Sequence, residues 1–364
     1  GYAYVYGSVN YETNEAVKKE IIDLNNKIYN QDESIVEVYK MTKQWSLDYF
    51  ETIYKRVNTK FDRLFFESEV FESGRKIVLQ NLEKGNFKKS EGAIIFEGEN
   101  YGLHNRVFIN SEGNPTYEAK DMGLAKLQFD EFKPEKIIHV VGPEQLEYFK
   151  VIIKALEIIM PEVGKREVHL RYGWVRLKEG KMSSRLGNVI LGEWLLDEIK
   201  KEVLKIMAEN ENLKNKDEVA EKVSLGAVKY SILKNGINTD ISFDINESIS
   251  FTGTSGPYIQ YTYARINSIL KKARKQESKE TNIDYSKLTE EKERILAVKL
   301  AKYPETVLSA GKNYDPSEIA KYLFELCKEF NDYYHSIPIL KAEEKIKNAR
   351  LALISAVSQV VKNG

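Results

Sequence analysis

The chain has 364 residues, of which 42% are hydrophobic and 30% are charged, and its formal net charge is zero. This composition predicts a globular protein with two or three cores of ordinary size. The single cysteine, Cys327, excludes a disulfide framework, and the longest apolar runs are shorter than the roughly 20 residues that cross a membrane. Four widely separated histidines lack zinc-site spacing. We therefore expect a cytoplasmic protein with no membrane segment and no protein-bound metal.

The N-terminal third is predicted to be mixed in secondary structure. Residues 13–57 repeat apolar positions at helical spacing, which predicts helices. Residues 61–109 contain short alternating runs between glycines and asparagines, which predict strands and hairpins. Asn114 as an N-cap, followed by Pro115 at the first helical position, predicts a helix to about Leu127.

The middle of the chain has an α/β pattern. Residues 136–141 form a short apolar run typical of a buried strand, and a helix over 144–160 and a β-like run over 167–177 follow. This order predicts a βαβ unit in which the helix is the crossover connection. Further helices are predicted from 187 to 207 and from 217 to 233.

From about residue 255 the strand patterns end. Four segments keep apolar residues three and four positions apart, which predicts an α-helical bundle, and these are 257–273, 288–309, 316–334 and 342–361. From Ser255 onward the chain has 19 Lys and Arg against 14 Asp and Glu. The cations Lys271, Lys272 and Arg274 fit either a solvated helix face or a nucleic-acid contact.

One loop has the residue types of a phosphate site. It spans residues 173–189, between a predicted strand and a predicted helix, and its cations and hydroxyls include Lys178, Lys181, Ser183, Ser184 and Arg185. Cations neutralise the charge that develops on phosphate oxygens, and glycines allow a loop to close and reopen. A solvated basic hairpin has the same composition, so these residue types alone leave both interpretations open.

A second candidate site lies on the helix after Pro115. Tyr117 and Asp121 are four residues apart and share one helix face. A carboxylate is the geometric partner of a guanidinium group, and an aromatic ring packs on the guanidinium plane. A partly buried tyrosine beside an exposed aspartate is the structural alternative.

These segments together resemble a known family. Residues 181–185, Lys-Met-Ser-Ser-Arg, resemble the KMSKS-type loop of class I aminoacyl-tRNA synthetases in its arginyl form, with Ser184 in place of the second lysine. Residues 114–121 resemble the Pro-Thr-Tyr segment of arginyl-tRNA synthetases. Residues 139–149 resemble the next strand-to-helix turn, where Tyr148 occupies the position of a usual histidine.

The resemblance continues into the helical region. Segments 226–230, 243–244 and 255–266 resemble the start of the family's anticodon-binding domain, and 330–339 resembles a later helix-to-loop segment. The resemblance implies an α/β plus all-α fold in three parts. These are an α+β connective insertion (1–112), the second half of a Rossmann-like catalytic domain with the KMSKS-type loop and a helical stem (113–254), and an α-helical bundle anticodon-binding domain (255–364).

The resemblance also implies roles for particular residues. Arginine would contact Tyr117, Asp121 and Gln145. ATP would contact Lys181, Met182, Ser183, Ser184 and Arg185. Catalysis would depend on Lys181 first, then Arg185, with Ser183. The tRNA would contact Tyr258, Gln260, Tyr261, Arg265, Lys271, Lys272 and Arg274, although domain packing explains the aromatic members equally well. His139, inside a strand, is expected to support the site rather than to catalyse.

The implied activity is ATP-dependent formation of arginyl-adenylate and transfer of arginine to tRNA(Arg), by a monomer, with Mg²⁺ carried by the nucleotide. The family's His-Ile-Gly-His-type and Ser-Pro-Asn elements are absent from this sequence. We therefore expect an incomplete portion of the enzyme that binds tRNA without charging it. The alternatives are a non-catalytic tRNA-binding module and another class I synthetase such as the cysteinyl type, which the lack of a cysteine zinc-ligand set disfavours.

Overall fold

The computed structural model describes residues 2–178, 191–208, 214–274 and 283–364. The chain divides into two compact units, Gly1–Leu64 and Phe65–Gly364. The first unit contains the helices α1 (Tyr2–Thr13), α2 (Glu15–Tyr29) and α3 (Val36–Arg56). The prediction of helices over 13–57 is therefore confirmed. Helix α2 begins where the side-chain oxygen of Asn14 accepts hydrogen bonds from the amides of Ala16 and Val17.

The second unit opens with a helix that the sequence pattern missed. Helix α4 (Glu67–Glu83) precedes the antiparallel strands β1 (Lys88–Ser90), β2 (Ala93–Phe96) and β3 (Arg106–Ile109), which pair in the order β1-β2-β3. The strands are confirmed, but the assignment of all of 61–109 to strands and hairpins is wrong. The buried face of α4 includes Gly74 and Asn81 beside its apolar residues, which weakens the helical apolar period.

The next helix, α5 (Tyr117–Phe132), begins later than predicted. Pro115 forms a β-bridge with Ile109, so the chain is still extended there. The N-cap is Thr116 rather than Asn114, and its hydroxyl donates to the carbonyls of Val107 and Phe108 instead of capping the helix. The start of α5 is therefore tied to β3 rather than to a local capping sequence.

The βαβ prediction is confirmed. Strand β4 (Ile137–Val141), helices α6 (Leu146–Ile159) and α7 (Pro161–Gly164), and strand β5 (Glu167–Arg171) form it, with β4 and β5 parallel. The predicted run 167–177 is two strands rather than one, because β6 (Val175–Leu177) pairs with β7 (Ile241–Phe243) in a separate parallel sheet. At Gly173, between them, a Cβ would lie 2.1 Å from the Thr239 carbonyl oxygen, so this approach requires glycine.

The remaining elements are helical. They are α8 (Gly192–Ala208), α9 (Lys216–Leu233), the short α10 (Ile245–Ser248), α11 (Gly256–Arg274), α12 (Glu291–Ala301), α13 (Tyr303–Asn313), α14 (Ser317–Ser336) and α15 (Glu344–Asn363). The predicted bundle is confirmed, although segment 288–309 is two helices. The break falls at Lys302, since Pro304 in the first turn of α13 begins a new helix. Within the described ranges, no helix is long and apolar enough to cross a membrane.

A close contact between α4 and α5 fixes the position of the first candidate site. A Cβ at Gly74 would lie 1.9 Å from the Ala119 carbonyl oxygen, and one at Gly123 would lie 2.4 Å from that of Val70. The two helices therefore approach through glycines on both sides, and Val78, Met122 and their neighbours fill the apolar core beneath them. This packing holds the middle of α5, which carries Asp121, against the core.

Candidate functional site

A cavity of about 480 Å³ lies beside the first turns of α5 and α6. The turn that follows β4 forms part of its wall, and the carboxyl ends of parallel strands are where ligands bind in α/β sheets. Tyr117, Asp121 and Gln145, which the sequence suggests as an arginine site, all line this cavity. The structure therefore brings the three residues together, from one helix and the turn that precedes α6.

Asp121 is the partly buried acidic group of the cavity. The Tyr148 hydroxyl donates a hydrogen bond to Asp121 Oδ2 at 2.6 Å. Burial raises the pKa of the Asp121 carboxyl above its ordinary value, and the hydrogen bond from Tyr148 opposes this shift. Within the part of the chain that the structure describes, no cation forms an ion pair with Asp121. The carboxylate is thus suited to a cationic ligand entering the cavity.

Four cavity residues were not predicted from the sequence, namely Arg106, Glu144, Tyr148 and Phe149. The Arg106 guanidinium lies 5.2 Å from the ring centroid of Tyr148, and its Nη1 lies 3.3 Å from Glu118 Oε1. Because Glu118 offsets the charge of Arg106, this cation adds little repulsion toward a positively charged ligand. Two sequence signals point to Tyr148: it lies three residues after Gln145, on the same side of the first turn of α6, and it occupies the position of a usual histidine in segment 139–149.

Tyr117 forms the open rim of the cavity. It is the first residue of α5, and 67% of its surface is exposed. The Lys120 ammonium lies 5.1 Å from the centroid of its ring and also forms an ion pair with Glu67, with Lys120 Nζ 2.6 Å from Glu67 Oε2. The exposed ring is placed to pack against a planar ligand group at the mouth of the cavity.

A layer of aromatic and polar groups supports the cavity from the sheet side. His139 Nε2 lies 2.5 Å from Glu167 Oε2, across the paired strands β4 and β5. The Phe149 ring lies with its centroid 4.8 Å from each of the rings of His139 and His169. Burial lowers the pKa of His169, which favours its neutral form. His139 contacts Phe149, which lines the cavity, but His139 is not itself among the lining residues.

The predicted phosphate loop lies largely outside the described residues. The residues outside include Lys181, Met182, Ser183, Ser184 and Arg185. Its N-terminal flank is described, and there Lys178 Nζ lies 3.1 Å from Asp244 Oδ2. Asp244 also caps α10 by accepting from the amide of Glu247, and this hydrogen bond, with the nearby Lys178, lowers the pKa of its carboxyl. No group of three or more potential metal-ligating side chains occurs among the described residues.

The candidate tRNA contacts on α11 separate into two faces. Gln260 donates to the carbonyl of Lys222 on α9 at 3.0 Å, and its amide would meet a Cβ added at Gly226. At 100° per residue, Gln260 lies about 200° around the helix from Tyr258. Gln260 therefore lies on the other side of α11 from Tyr258 and packs against α9.

The other face of α11 presents stacked aromatic and cationic groups. The Arg265 guanidinium lies 4.7 Å from the ring centroid of Tyr261 and 5.2 Å from that of Tyr334 on α14. Arg265 also donates to Asn331 Oδ1 at 2.6 Å, and Asn331 in turn donates to the hydroxyl of Tyr258, which is half-buried. Tyr261 and Tyr334 are exposed, so their rings form an accessible surface that Arg265 holds together.

Three further cations lie at the end of the same helix. Lys271, Lys272 and Arg274 are exposed in the last turn of α11. Cations near a helix C-terminus also interact favourably with the helix dipole, so the position of these three residues has a structural reason that is independent of ligand binding. The stacked face and this cationic end belong to one helix.

A parallel βαβ unit with a cavity at the end of its first strand, followed by a helical bundle, fits the class I aminoacyl-tRNA synthetases that the sequence resembles. Comparison with known proteins defines the family within this class. A family described as "tRNA synthetases class I (R), catalytic domain" matches residues 2–245, and "DALR anticodon binding domain" matches residues 259–364. The chain belongs to the arginyl-tRNA synthetase family.

Individual relatives agree with this family. The chain is 38% identical to an arginine–tRNA ligase of Porphyromonas gingivalis over 344 residues, which cover 92% of this chain and 57% of the relative. It is 36% identical to that of Borrelia hermsii over 362 residues, which cover 97% and 62%. The chain thus spans about 57% to 62% of the length of these curated relatives.

Solved structures show the same fold. The Thermus thermophilus arginyl-tRNA synthetase aligns with a TM-score of 0.83 at 25% identity, over 99% of this chain and 67% of that one. The Plasmodium falciparum arginyl-tRNA synthetase aligns with a TM-score of 0.77 at 22% identity, over 96% and 60%. Together with the family matches, these alignments show a class I catalytic fold joined to an all-helical anticodon-binding domain.

Proposed function

We propose that the protein containing this chain is an arginine–tRNA ligase, and that this chain supplies the side-chain pocket for arginine and a tRNA-binding helical surface. The observation that carries the proposal is Asp121, a partly buried carboxylate that faces a cavity without a cationic partner among the described residues. A guanidinium group satisfies such a carboxylate with directed, charge-assisted hydrogen bonds. The names of the relatives, arginine–tRNA ligase, support the same substrate.

The proposed reaction has two steps. The carboxylate of arginine attacks the α-phosphorus of ATP, forming arginyl-adenylate and releasing pyrophosphate. A hydroxyl of the terminal ribose of tRNA(Arg) then attacks the carbonyl carbon, and AMP leaves. In this proposal Tyr117, Asp121 and Gln145 orient the arginine side chain, so that its reacting carboxylate is held for the nucleotide.

The phosphate loop has the complementary role in this proposal. Lys181 and, as the second candidate, Arg185 would stabilise charge on the pyrophosphate, with Met182, Ser183 and Ser184 lining the nucleotide. Mg²⁺ would arrive with ATP as part of the substrate. The loop is assigned from its sequence alone, since residues 179–190 lie outside the described part of the chain.

We further propose that three parts of the chain have different roles. Residues 1–112 would form a connective insertion, 113–254 the second half of the catalytic domain with its helical stem, and 255–364 the anticodon-binding domain. A monomer in the cytoplasm is the proposed state, and the single, buried cysteine is compatible with a reducing compartment.

The tRNA surface is proposed to be the exposed side of α11 together with Tyr334. Tyr261 and Tyr334 offer ring faces on which unpaired bases stack, and Arg265 braces both rings. Lys271, Lys272 and Arg274 would contact the phosphate backbone. Tyr258 supports this surface through Asn331 rather than by direct exposure.

The phosphate contacts predict a specific salt dependence. Neutralising Lys271, Lys272 and Arg274 together, each by substitution with Gln, should reduce the slope of log Kobs for tRNA(Arg) against log salt by about 2, because three phosphate contacts would be lost. Filter-binding titrations of the 364-residue chain at several salt concentrations measure this slope.

The matched control neutralises the same number of charges elsewhere. Lys150 and Lys165 are exposed and Lys154 is partly exposed, and each pairs with a glutamate three residues away. Substituting these three with Gln should leave the slope nearly unchanged. Equal losses in both triple variants would mean that net charge alone governs binding, and an unchanged slope in the first would remove the phosphate role from the end of α11.

A further inference from the structure

Tyr148 is held in a fixed position beneath the proposed arginine pocket. Its hydroxyl donates to Asp121 Oδ2 at 2.6 Å, and its ring lies between two neighbours. The Arg106 guanidinium lies 5.2 Å from the ring centroid, and the Phe149 ring meets it edge-on with centroids 5.3 Å apart. Glu118 in turn pairs with Arg106. The phenol is therefore positioned by contacts from β3, α5 and α6.

The hydrogen bond from Tyr148 leaves the two carboxylate oxygens of Asp121 in different surroundings. Oδ2 accepts the tyrosine hydroxyl, and no described side chain is hydrogen-bonded to Oδ1. A carboxylate on a free aspartate side chain rotates about its χ2 angle with little preference. A hydrogen bond to one oxygen from a fixed donor removes this freedom and sets the direction in which the carboxylate meets a ligand.

The chemical type of the donor also matters for a cationic ligand. A phenol hydroxyl stabilises the ionised carboxylate without adding positive charge to the pocket. A lysine, an arginine or a protonated histidine in direct contact with Asp121 would satisfy the carboxylate and repel a guanidinium group at the same time. Burial and the nearby negative charge of Asp121 raise the pKa of Tyr148, so it remains a neutral donor over the working pH range.

We infer that Tyr148 is a positioning residue that orients Asp121 toward the guanidinium of arginine, with Arg106 and Glu118 holding Tyr148 in place. This inference rests on the proposed function, because it concerns the same pocket. It assigns a role in substrate specificity to three residues outside the predicted set. The titratable groups that act on Asp121 are Glu118 on α5, His139 on β4, Tyr148 on α6 and Glu167 on β5, and Arg106 on β3 contacts both Glu118 and Tyr148.

Removing only the hydroxyl tests this role. Tyr148→Phe keeps the ring and its contacts with Arg106 and Phe149. The arginine KM should rise about tenfold, which corresponds to one hydrogen bond to a charged group, and kcat at saturating arginine should change little. Steady-state aminoacylation by the full-length enzyme, with tRNA(Arg) and ATP saturating, measures both constants.

The pH profile provides a readout that a loss of packing would not give. Asp121 must be ionised to bind a guanidinium group, so kcat/KM for arginine falls as the pH drops through the pKa of Asp121. The tyrosine hydrogen bond lowers this pKa relative to burial alone. The acid limb of kcat/KM should therefore move to higher pH in Tyr148→Phe, whereas the limb should stay in place in the control Tyr101→Phe, an exposed tyrosine that stacks on Phe96.

Parallel measurement of Asp121→Asn separates this inference from the proposed function. If Asp121→Asn raises the arginine KM while Tyr148→Phe changes neither the KM nor the acid limb, the positioning role is wrong and the pocket stands. If Asp121→Asn itself leaves the arginine KM unchanged, the pocket assignment fails. A tenfold rise in KM with a shifted acid limb in Tyr148→Phe, and no shift in Tyr101→Phe, supports the inference.

Discussion

Asp121→Asn is expected to raise the arginine KM of the full-length enzyme on the order of 100-fold and to leave the KM values for ATP and tRNA nearly unchanged. The substitution keeps the shape of the side chain but removes the charge that a guanidinium group needs. Deleting one partner of a desolvated, hydrogen-bonded charge pair costs about 2–5 kcal/mol, which corresponds to this range of affinity. Aminoacylation kinetics with each substrate varied in turn measure the three constants.

Asp121→Asn should not lower the stability of the folded protein. A higher arginine KM in this variant would therefore reflect lost binding and not misfolding. Burial raises the pKa of Asp121, so between its unfolded and folded pKa values the folded state holds a proton that the unfolded state has released. Stability therefore falls as the pH rises through this window, and the ionised form at neutral pH is the less stable one. Because asparagine carries no charge there, the melting temperature at neutral pH should be unchanged or higher. An arginine KM equal to that of the wild type would contradict the assignment.

The largest effect on stability is expected in the helical bundle, at a buried ion pair between α12 and α15. Arg350 Nε donates to Glu293 Oε1 at 2.6 Å, and Arg350 Nη1 donates to the carbonyl of Pro338 at 2.8 Å. The side chain of Glu293 is fully buried and that of Arg350 is 8% exposed. Arg350→Met leaves the carboxylate buried without its partner, so the free energy of opening this region should fall by about 3–5 kcal/mol.

Hydrogen-exchange mass spectrometry measures the protection of the amides in α12, α14 and α15 separately from the rest of the chain. This method is suitable because the protein has more than one cooperative unit. The control is Arg294→Met on the same helix α12, where the pair with Glu291 is exposed to solvent and contributes little. The double variant Glu293→Met/Arg350→Met should recover much of the loss, because no unpaired charge remains. Equal protection in Arg350→Met and Arg294→Met would show that the buried pair does not stabilise the bundle.

Elements with a strong local pattern were predictable from the sequence. Strand β3 matches the predicted run at 106–109, and the helices of the bundle follow apolar residues at three and four spacing. Helix α4 was not predicted because glycine and asparagine occupy two of its buried positions, and glycine there is required by contact with α5. The N-terminus of α5 was misplaced because the bridge between Pro115 and Ile109, a tertiary contact, overrides the local capping signal.

Only the part of the candidate site that lies within one element was predictable from the sequence. Tyr117 and Asp121 lie on one helix, and helical periodicity alone brings them together. The contact between Asp121 and Tyr148 joins residues 27 apart, from two helices, so no local pattern reveals it. Arg106 reaches the cavity from a strand before α5 for the same reason. The position of Gln260, by contrast, follows from the sequence. Its angle around α11 separates it from Tyr258, and at that angle it packs against α9.

The most direct measurement is a charging assay on total tRNA with ATP and each of the twenty amino acids, radiolabelled in turn. The full-length enzyme should attach arginine alone, and the 364-residue chain by itself should bind tRNA(Arg) without charging it. Transfer of a different amino acid by the full-length enzyme, or tRNA binding by that enzyme with no charging at all, would contradict the proposed arginine–tRNA ligase activity. Charging by the 364-residue chain well above background would contradict the expectation, drawn from the sequence, that this portion binds tRNA without charging it.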